Sequence, residues 1–169
     1  MTVDTFDLTP GHTISRLIRG GWQLAGGHGA IARDRAIADM HAFLDAGITT
    51  FDCADIYTGV EEMIGDFRAT LAQSDRARLK VHTKFVPDLS ALATLSGADV
   101  ERIIDRSLLR LRAEVLDLVQ FHWWDYAIPG WIEAGQHLAR LKERGKIRNV
   151  AGTNFDTPRS RAMIEAGVK

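Results

Sequence analysis

Apolar and polar positions along the chain follow two different periods in turn. Short apolar runs, typical of buried strands, lie at about residues 15–22, 48–52, 79–85, 116–122 and 147–153. Between them, apolar residues recur every three or four positions, which predicts helices at residues 34–46, 60–72, 98–112, 131–144 and 158–166. Alternation of strands and helices predicts a parallel sheet covered by helices.

Turn signals support these boundaries. Glycine closes several predicted helices, as at Gly47 and Gly145, because it adopts the left-handed conformation that ends a helix. Thr157-Pro158 predicts a helix start, with threonine as the cap and proline in the first position. Before the first βα unit, Pro10-Gly11 between apolar ends predicts a short hairpin.

Composition narrows the function classes. With 169 residues, 46% of them apolar, the chain has enough material for one buried core. A formal charge of −1 gives no reason to expect nucleic acid or an anionic membrane as partner, and no apolar run approaches transmembrane length. The acidic N-terminus does not resemble a secretory signal, so we expect a cytoplasmic protein. Cys53 is the single cysteine, which excludes an internal disulfide and a cysteine-rich metal site.

Four polar residues lie at or just beyond the ends of predicted strands: Asp52, Tyr57, Lys84 and His122. Carboxyl ends of parallel strands are where catalytic side chains collect in α/β folds. A free phenol, with a pKa of about 10, is a poor proton donor near neutral pH, and a neighbouring ammonium would lower that pKa. We therefore expect Tyr57 to donate a proton and Lys84 to adjust its pKa.

The other two residues complete an acid–base set. Asp52 would hold Lys84 charged, and His122 could hydrogen-bond a substrate carbonyl oxygen. Taken singly, each residue has an ordinary alternative: a loop tyrosine, a surface ion pair or a core histidine. Four such residues at strand ends favour a catalytic site.

Three segments carry a family resemblance: Phe51–Tyr57, Thr83-Lys84 and Gln120–Trp123. They resemble the aldo-keto reductases, enzymes that use NADP or NAD and are built on a (β/α)8 barrel. The resemblance implies hydride transfer between the cofactor and an aldehyde, ketone or sugar carbonyl, or the reverse reaction from the alcohol. It implies catalytic roles for Asp52, Tyr57, Lys84 and His122.

The resemblance also assigns binding residues. Gly21, Trp22, Asp52, Thr153 and Asn154 match positions beside the nicotinamide, with Thr153 standing where the family usually has serine. Trp22 and Trp123 would line the rim of the substrate pocket. Glu61 stays outside the predicted site because the glycine before it is shifted by one position relative to the family pattern.

Five βα units are fewer than a full barrel needs, since eight units typically take about 250 residues. We therefore expect residues 1–169 to be the N-terminal portion of a single barrel domain, truncated to about five units. Open strand edges and uncovered apolar residues in such a portion would promote self-association.

Two other interpretations stay open. Gly27–Ala32 fits the G-x-G-x-x-A form of a dinucleotide-binding fingerprint, which would make the chain a Rossmann-type dehydrogenase fragment. The intervening residues after the first strand and that strand's polar composition argue against it. The third interpretation is an inactive or regulatory truncated reductase that keeps the site residues but does not hold the cofactor.

Overall fold

A computed structural model describes residues 3–27, 29 and 31–168. The chain divides into two compact units. The first contains the chain up to His82 together with Arg110–Ala113, and the second contains Thr83–Leu109 together with the chain from Glu114 onward.

The first unit opens with the predicted hairpin, in which β1 (Thr5–Thr9) pairs antiparallel with β2 (His12–Ser15). Gly11 has φ of 79° in the connecting turn, a value that glycine adopts without strain. Buried His12 places its Nε2 2.9 Å from Nε2 of His82, and the two rings stack. The hairpin prediction is confirmed.

Parallel strands form the sheet of the first unit. β3 pairs with β4 and β4 with β5, and the register places Gly20 opposite Asp52, and Asp52 opposite His82. Three helices belong to this part of the chain. The bounds are β3 Ile18–Gly20, α1 Arg33–Asp45, β4 Thr50–Asp52, α2 Val60–Thr70, α3 Gln73–Arg78 and β5 Lys80–Phe85.

The core of the first unit lies between its sheet and helices. Phe51 of β4 stacks on Phe67 of α2 with ring centroids 5.5 Å apart, and both rings are buried. Met40 and Leu44 of α1 and Ile64 of α2 are each 2% exposed or less. These are positions that the helical periodicity places on one face.

In the second unit, β6 pairs parallel with β7 and His122 lies opposite Thr153. Its helices alternate with these strands, and its core is aromatic, with Phe121 packed between Phe85 at 5.7 Å and Trp123 at 5.9 Å. The bounds are α4 Gly97–Arg110, β6 Leu118–His122, α5 Trp131–Glu143, β7 Val150–Thr153 and α6 Thr157–Glu165.

Most predicted elements are present, with shorter bounds. The first predicted strand, at 15–22, is shortened at both ends to β3. At its start, Ser15 still belongs to the hairpin, and its hydroxyl accepts from Thr49 N and Thr50 N. At its end, Trp22 begins a short 3-10 helix, Trp22–Ala25. The cap of α6 is Asp156 rather than Thr157, since the Asp156 carboxylate accepts from Arg159 N at 2.9 Å.

Among the described residues, three short helical segments lie outside the predicted helices: α3 and the 3-10 helices at Trp22–Ala25 and Leu89–Thr94. Across the described ranges, the structure contains no helix with the length and apolar composition that crossing a bilayer requires.

Candidate active site

The segment after β4 carries two of the predicted residues. β4 ends at half-buried Asp52, and Cys53 N then donates to His82 O at 2.8 Å. Tyr57 N donates to Ala54 O at 3.0 Å, which turns the chain before α2 begins. Tyr57 therefore lies half-buried in the turn that follows the strand, as the sequence predicts.

Gly21 lies directly against this strand end. Its N–H donates to Asp52 O at 2.7 Å, and a Cβ added at Gly21 would lie 2.8 Å from that oxygen and 2.9 Å from Val60 Cγ1. Trp22 follows with 57% of its surface exposed. The first unit thus brings Gly21 and Asp52 together, and glycine is required by the close approach of the backbones.

A buried ion pair anchors the same segment. Glu61, in the first turn of α2, is fully buried, and its Oε2 lies 3.4 Å from Nη1 of Arg110. The same guanidinium donates to the backbone oxygen of Asp55 at 3.0 Å and pairs with Glu62 at 2.9 Å. Sequence reasoning set Glu61 aside and missed Arg110, whose partners lie about 50 residues away along the chain.

The second unit holds Lys84 and His122. Lys84 is half-buried in β5, two residues beyond His82, and His122 is the last residue of β6. His122 is 9% exposed, and this burial lowers the pKa of its imidazole below the usual value. The ring is therefore neutral near pH 7.

Asn154 binds the imidazole of His122. Its amide Nδ2 donates to His122 Nε2 at 2.8 Å, just after Thr153 has paired with His122 in the sheet register. The remaining ring nitrogen, Nδ1, is buried and has no hydrogen-bond partner within the described part of the chain. The structure thus brings together His122, Thr153 and Asn154, all predicted site residues.

The two tryptophans after His122 differ in exposure. Trp123, predicted at the rim of a pocket, is only 1% exposed, and its Nε1 donates to Asp125 O and Ile128 O. Trp124 is 49% exposed and lies edge-on to the His122 ring at 4.5 Å. His122 is the last residue of β6, so both tryptophans lie beyond the strand, where the chain bends.

Known proteins resemble the chain over nearly its whole length. The model of the aldo/keto reductase family matches residues 16–169. The chain belongs to this family. The aldo-keto reductase YhdN of Bacillus subtilis is 31% identical over 147 residues, covering 83% of this chain and 44% of that protein. The 2,5-diketo-D-gluconic acid reductase B of a Corynebacterium is 28% identical over 167 residues, covering 98% and 55%.

Solved aldo/keto reductases share the fold. One from Klebsiella pneumoniae, in complex with NADP and acetate, has a TM-score of 0.76 and 28% identity, covering 95% of this chain and 53% of its own. The chain spans about half the length of the curated relatives it matches. Its fold is the (β/α)8 barrel type, represented by five βα units.

Family membership decides between the open interpretations of the glycine motif. The Rossmann-type alternative is wrong, because an aldo/keto reductase is not a doubly wound dinucleotide domain. His28 and Ala30 of that motif lie outside the described residues. Gly29 precedes the first residue of α1 by four positions, so the motif does not open the helix directly.

Proposed function

We propose that this chain supplies the proton-transfer half of an oxidoreductase that reduces an aldehyde, ketone or sugar carbonyl with NADP(H). One observation carries the proposal: in a chain of this family, Asp52 and His122 end parallel strands, Lys84 lies near the end of another, and Tyr57 lies in the turn after Asp52. In barrels of this type the reaction takes place at the carboxyl ends of the strands. NADP in the Klebsiella relative supports the choice of cofactor.

The residues present fit a nicotinamide cofactor. Asn154 is exposed and carries both an amide donor and an amide oxygen, the groups that a carboxamide pairs with. Gly21 lies in backbone contact with Asp52, and Trp22 exposes its ring beside it. We assign cofactor binding to Gly21, Trp22, Asp52, Thr153 and Asn154, and the cofactor would supply the hydride.

The protein's own part in the reaction is proton transfer and orientation. Tyr57 donates its phenolic proton to the carbonyl oxygen, with the Lys84 ammonium stabilising the phenolate that forms and Asp52 pairing with that ammonium. His122, kept neutral by burial, donates an N–H to the same oxygen once the Asn154 amide leaves its Nε2 for a ligand, and fixes the direction of that oxygen. In place of Trp123, exposed Trp124 is the indole that would meet a substrate next to His122.

Replacing Tyr57 with phenylalanine tests the proposal. The hydroxyl is deleted and the ring kept, so NADPH binding should survive while turnover falls by about 10² to 10⁴, the usual contribution of a positioned acid. NADPH consumption with a panel of small aldehydes, ketones and sugars measures turnover, and fluorescence quenching by NADPH measures cofactor binding.

Thr70→Val is the matched control, because it removes a different hydroxyl from the same unit, one that donates to the Phe67 backbone. Its turnover should equal that of the unmodified protein. Equal turnover in Tyr57→Phe would contradict the assigned acid. A chain that neither binds NADPH nor consumes it would favour the inactive or regulatory alternative.

A further inference from the structure

Tyr126 occupies a position that nothing above assigns to the site. It lies in the loop between β6 and α5, half-buried, and its hydroxyl donates to the backbone oxygen of Asn154 at 3.1 Å. Burial raises the pKa of this phenol above its usual value, so the hydroxyl keeps its proton and remains a donor near neutral pH.

Asn154 has an unusual backbone conformation. Its φ of 62° lies in the left-handed region, where asparagine is more easily accommodated than most residues other than glycine. In this conformation the backbone oxygen meets Tyr126 while the side-chain amide meets His122. One residue thus joins a phenol on one loop to the imidazole at the end of β6.

The neighbouring residues leave this turn little freedom. Phe155 packs against Tyr126 at 5.4 Å and Trp131 at 6.0 Å, and Asp156 caps α6. The guanidinium of Arg159 lies 4.2 Å over the ring of Tyr126, a cation–π contact that restrains the phenol further. The hydroxyl of Tyr126 is therefore aimed at Asn154 by a packed surrounding.

This arrangement bears on which ring nitrogen of His122 carries the proton. A neutral imidazole carries its proton on one nitrogen, and the hydrogen bond made at the other nitrogen selects which. With Nδ1 buried and unpaired among the described residues, the Asn154 amide at Nε2 is the one hydrogen bond that the structure gives this ring. The amide therefore determines the tautomer.

We propose that Tyr126 is a positioning residue, which holds the Asn154 backbone so that the amide stays on Nε2 of His122 and fixes the tautomer of that ring. The inference rests on the proposed function for its importance to carbonyl reduction, because Asn154, whose backbone Tyr126 holds, is also the residue assigned to the nicotinamide. The contacts from which it is argued all lie in the second unit.

Nitrogen NMR of the His122 ring tests it in the complete 169-residue chain. The unmodified protein should show two well-separated ring nitrogen shifts, one typical of a protonated and one of a bare nitrogen. Tyr126→Phe keeps the ring contacts and removes only the hydroxyl, so the separation should shrink as the two tautomers mix. If the reductase activity is present, kcat/KM should fall about fivefold, the factor expected for one neutral hydrogen bond.

Two further samples sharpen the result. Asn154→Gly keeps the left-handed backbone and removes the amide, so it should mix the tautomers as Tyr126→Phe does. Thr94→Val removes another hydroxyl of the same unit, which donates to Ala91 O, and should leave the His122 shifts unchanged. Wild-type shifts in either of the first two variants would overturn the inference.

The contact can also be tested without substitution. Exchanging the Tyr126 hydroxyl proton for deuterium should shift the carbonyl carbon signal of Asn154 if the hydrogen bond exists, and an unresponsive carbon would overturn the inference even if Tyr126→Phe fails to fold. An inactive protein with the expected shifts would contradict the proposed function alone. An active protein with unchanged His122 shifts in Tyr126→Phe would contradict this inference alone.

Discussion

The two segments that carry the candidate site are held by different kinds of contact. In the first unit, the turn with Tyr57 is anchored by a buried ion pair and by glycine packed against backbone, as Arg110–Glu61 and Gly21 show. In the second unit, His122 and Asn154 are held by neutral hydrogen bonds and by aromatic rings. The first set tolerates little displacement. In the second unit the turn at Asn154 is packed, but the amide of Asn154 and the imidazole of His122 can exchange hydrogen-bond partners at small cost.

This difference suits the two proposed tasks. A proton donor works only if its oxygen stays within hydrogen-bond reach of the acceptor, so rigid anchoring favours Tyr57. The imidazole and amide must accept new partners when ligands arrive, and neutral hydrogen bonds, worth about 1 kcal/mol each, permit that. We therefore expect damage in the first unit to reduce stability and damage in the second to change the state of His122.

Arg110→Met should give the largest effect. It removes the cation beside fully buried Glu61, and breaking a buried ion pair by removing one partner typically costs about 3–5 kcal/mol. Urea unfolding measures the loss. Arg102→Met on the same helix is the matched control, because that guanidinium pairs with Asp99 at the surface; its effect should stay within about 0.5 kcal/mol. Equal losses of stability in both variants would contradict the distinction between a buried and a surface ion pair.

Two glycine substitutions compare the units directly. A Cβ at Gly65 would lie 2.0 Å from the backbone oxygen of Arg110, whereas a Cβ at Gly135 would meet the end of the Met163 side chain at the same distance. Backbone cannot move aside as a thioether can, so Gly65→Ala should destabilise by about 3 kcal/mol and Gly135→Ala by about 1 kcal/mol. Thermal and urea unfolding measure both losses of stability. A larger loss in Gly135→Ala than in Gly65→Ala would contradict the comparison.

Adjacent glycines test the approach to Asp52. Gly21→Ala places a methyl group 2.8 Å from Asp52 O, while Gly20→Ala meets nothing within 4 Å. We expect Gly21→Ala to cost about 1–3 kcal/mol and to weaken NADPH binding, with Gly20→Ala within about 0.5 kcal/mol of the unmodified protein. Unfolding and cofactor titration are measured on the same samples. A silent Gly21→Ala would show that this loop moves freely.

The smallest effect is expected from pH. Burial lowers the pKa of His122, so the unfolded chain takes up a proton at this residue before the folded chain does as the pH falls. Stability is complete above the unfolded pKa and declines as the pH falls toward the folded value. Urea unfolding between pH 7 and 5 should show this decline, and His122→Gln should reduce its slope. Half-buried His137, whose pKa is also lowered by burial, contributes in the same direction. If stability declines with falling pH as steeply in His122→Gln as in the unmodified protein, the decline does not come from His122.

Much of the site was predictable because strand ends are local in sequence. The apolar runs before Asp52 and His122 predict strands, and parallel pairing then places both residues at carboxyl ends. The resemblance placed Trp123 at the rim of the substrate pocket, whereas the structure buries Trp123 and exposes Trp124.

What escaped prediction depends on distant contacts. Arg110 lies on a helix whose pattern marks it as a polar surface residue, and only the fold brings it to Asp55 and Glu61. Tyr126 acts on a backbone oxygen 28 residues away, and the left-handed turn at Asn154 has no glycine to signal it. The pairing of Asp52 and Tyr57 with Lys84 in catalysis stays a prediction, as does self-association.

The thiol of the single cysteine can be used to detect opening of the segment that carries Tyr57. Cys53 follows Asp52 directly and has no exposed surface, so a thiol reagent can reach it only when this segment opens. Because the chain has no second thiol, the labelling rate measures the opening equilibrium of one known site without any added probe. Slower labelling at increasing NADPH concentration would then indicate that the cofactor closes the strand end where the proposed proton donor lies.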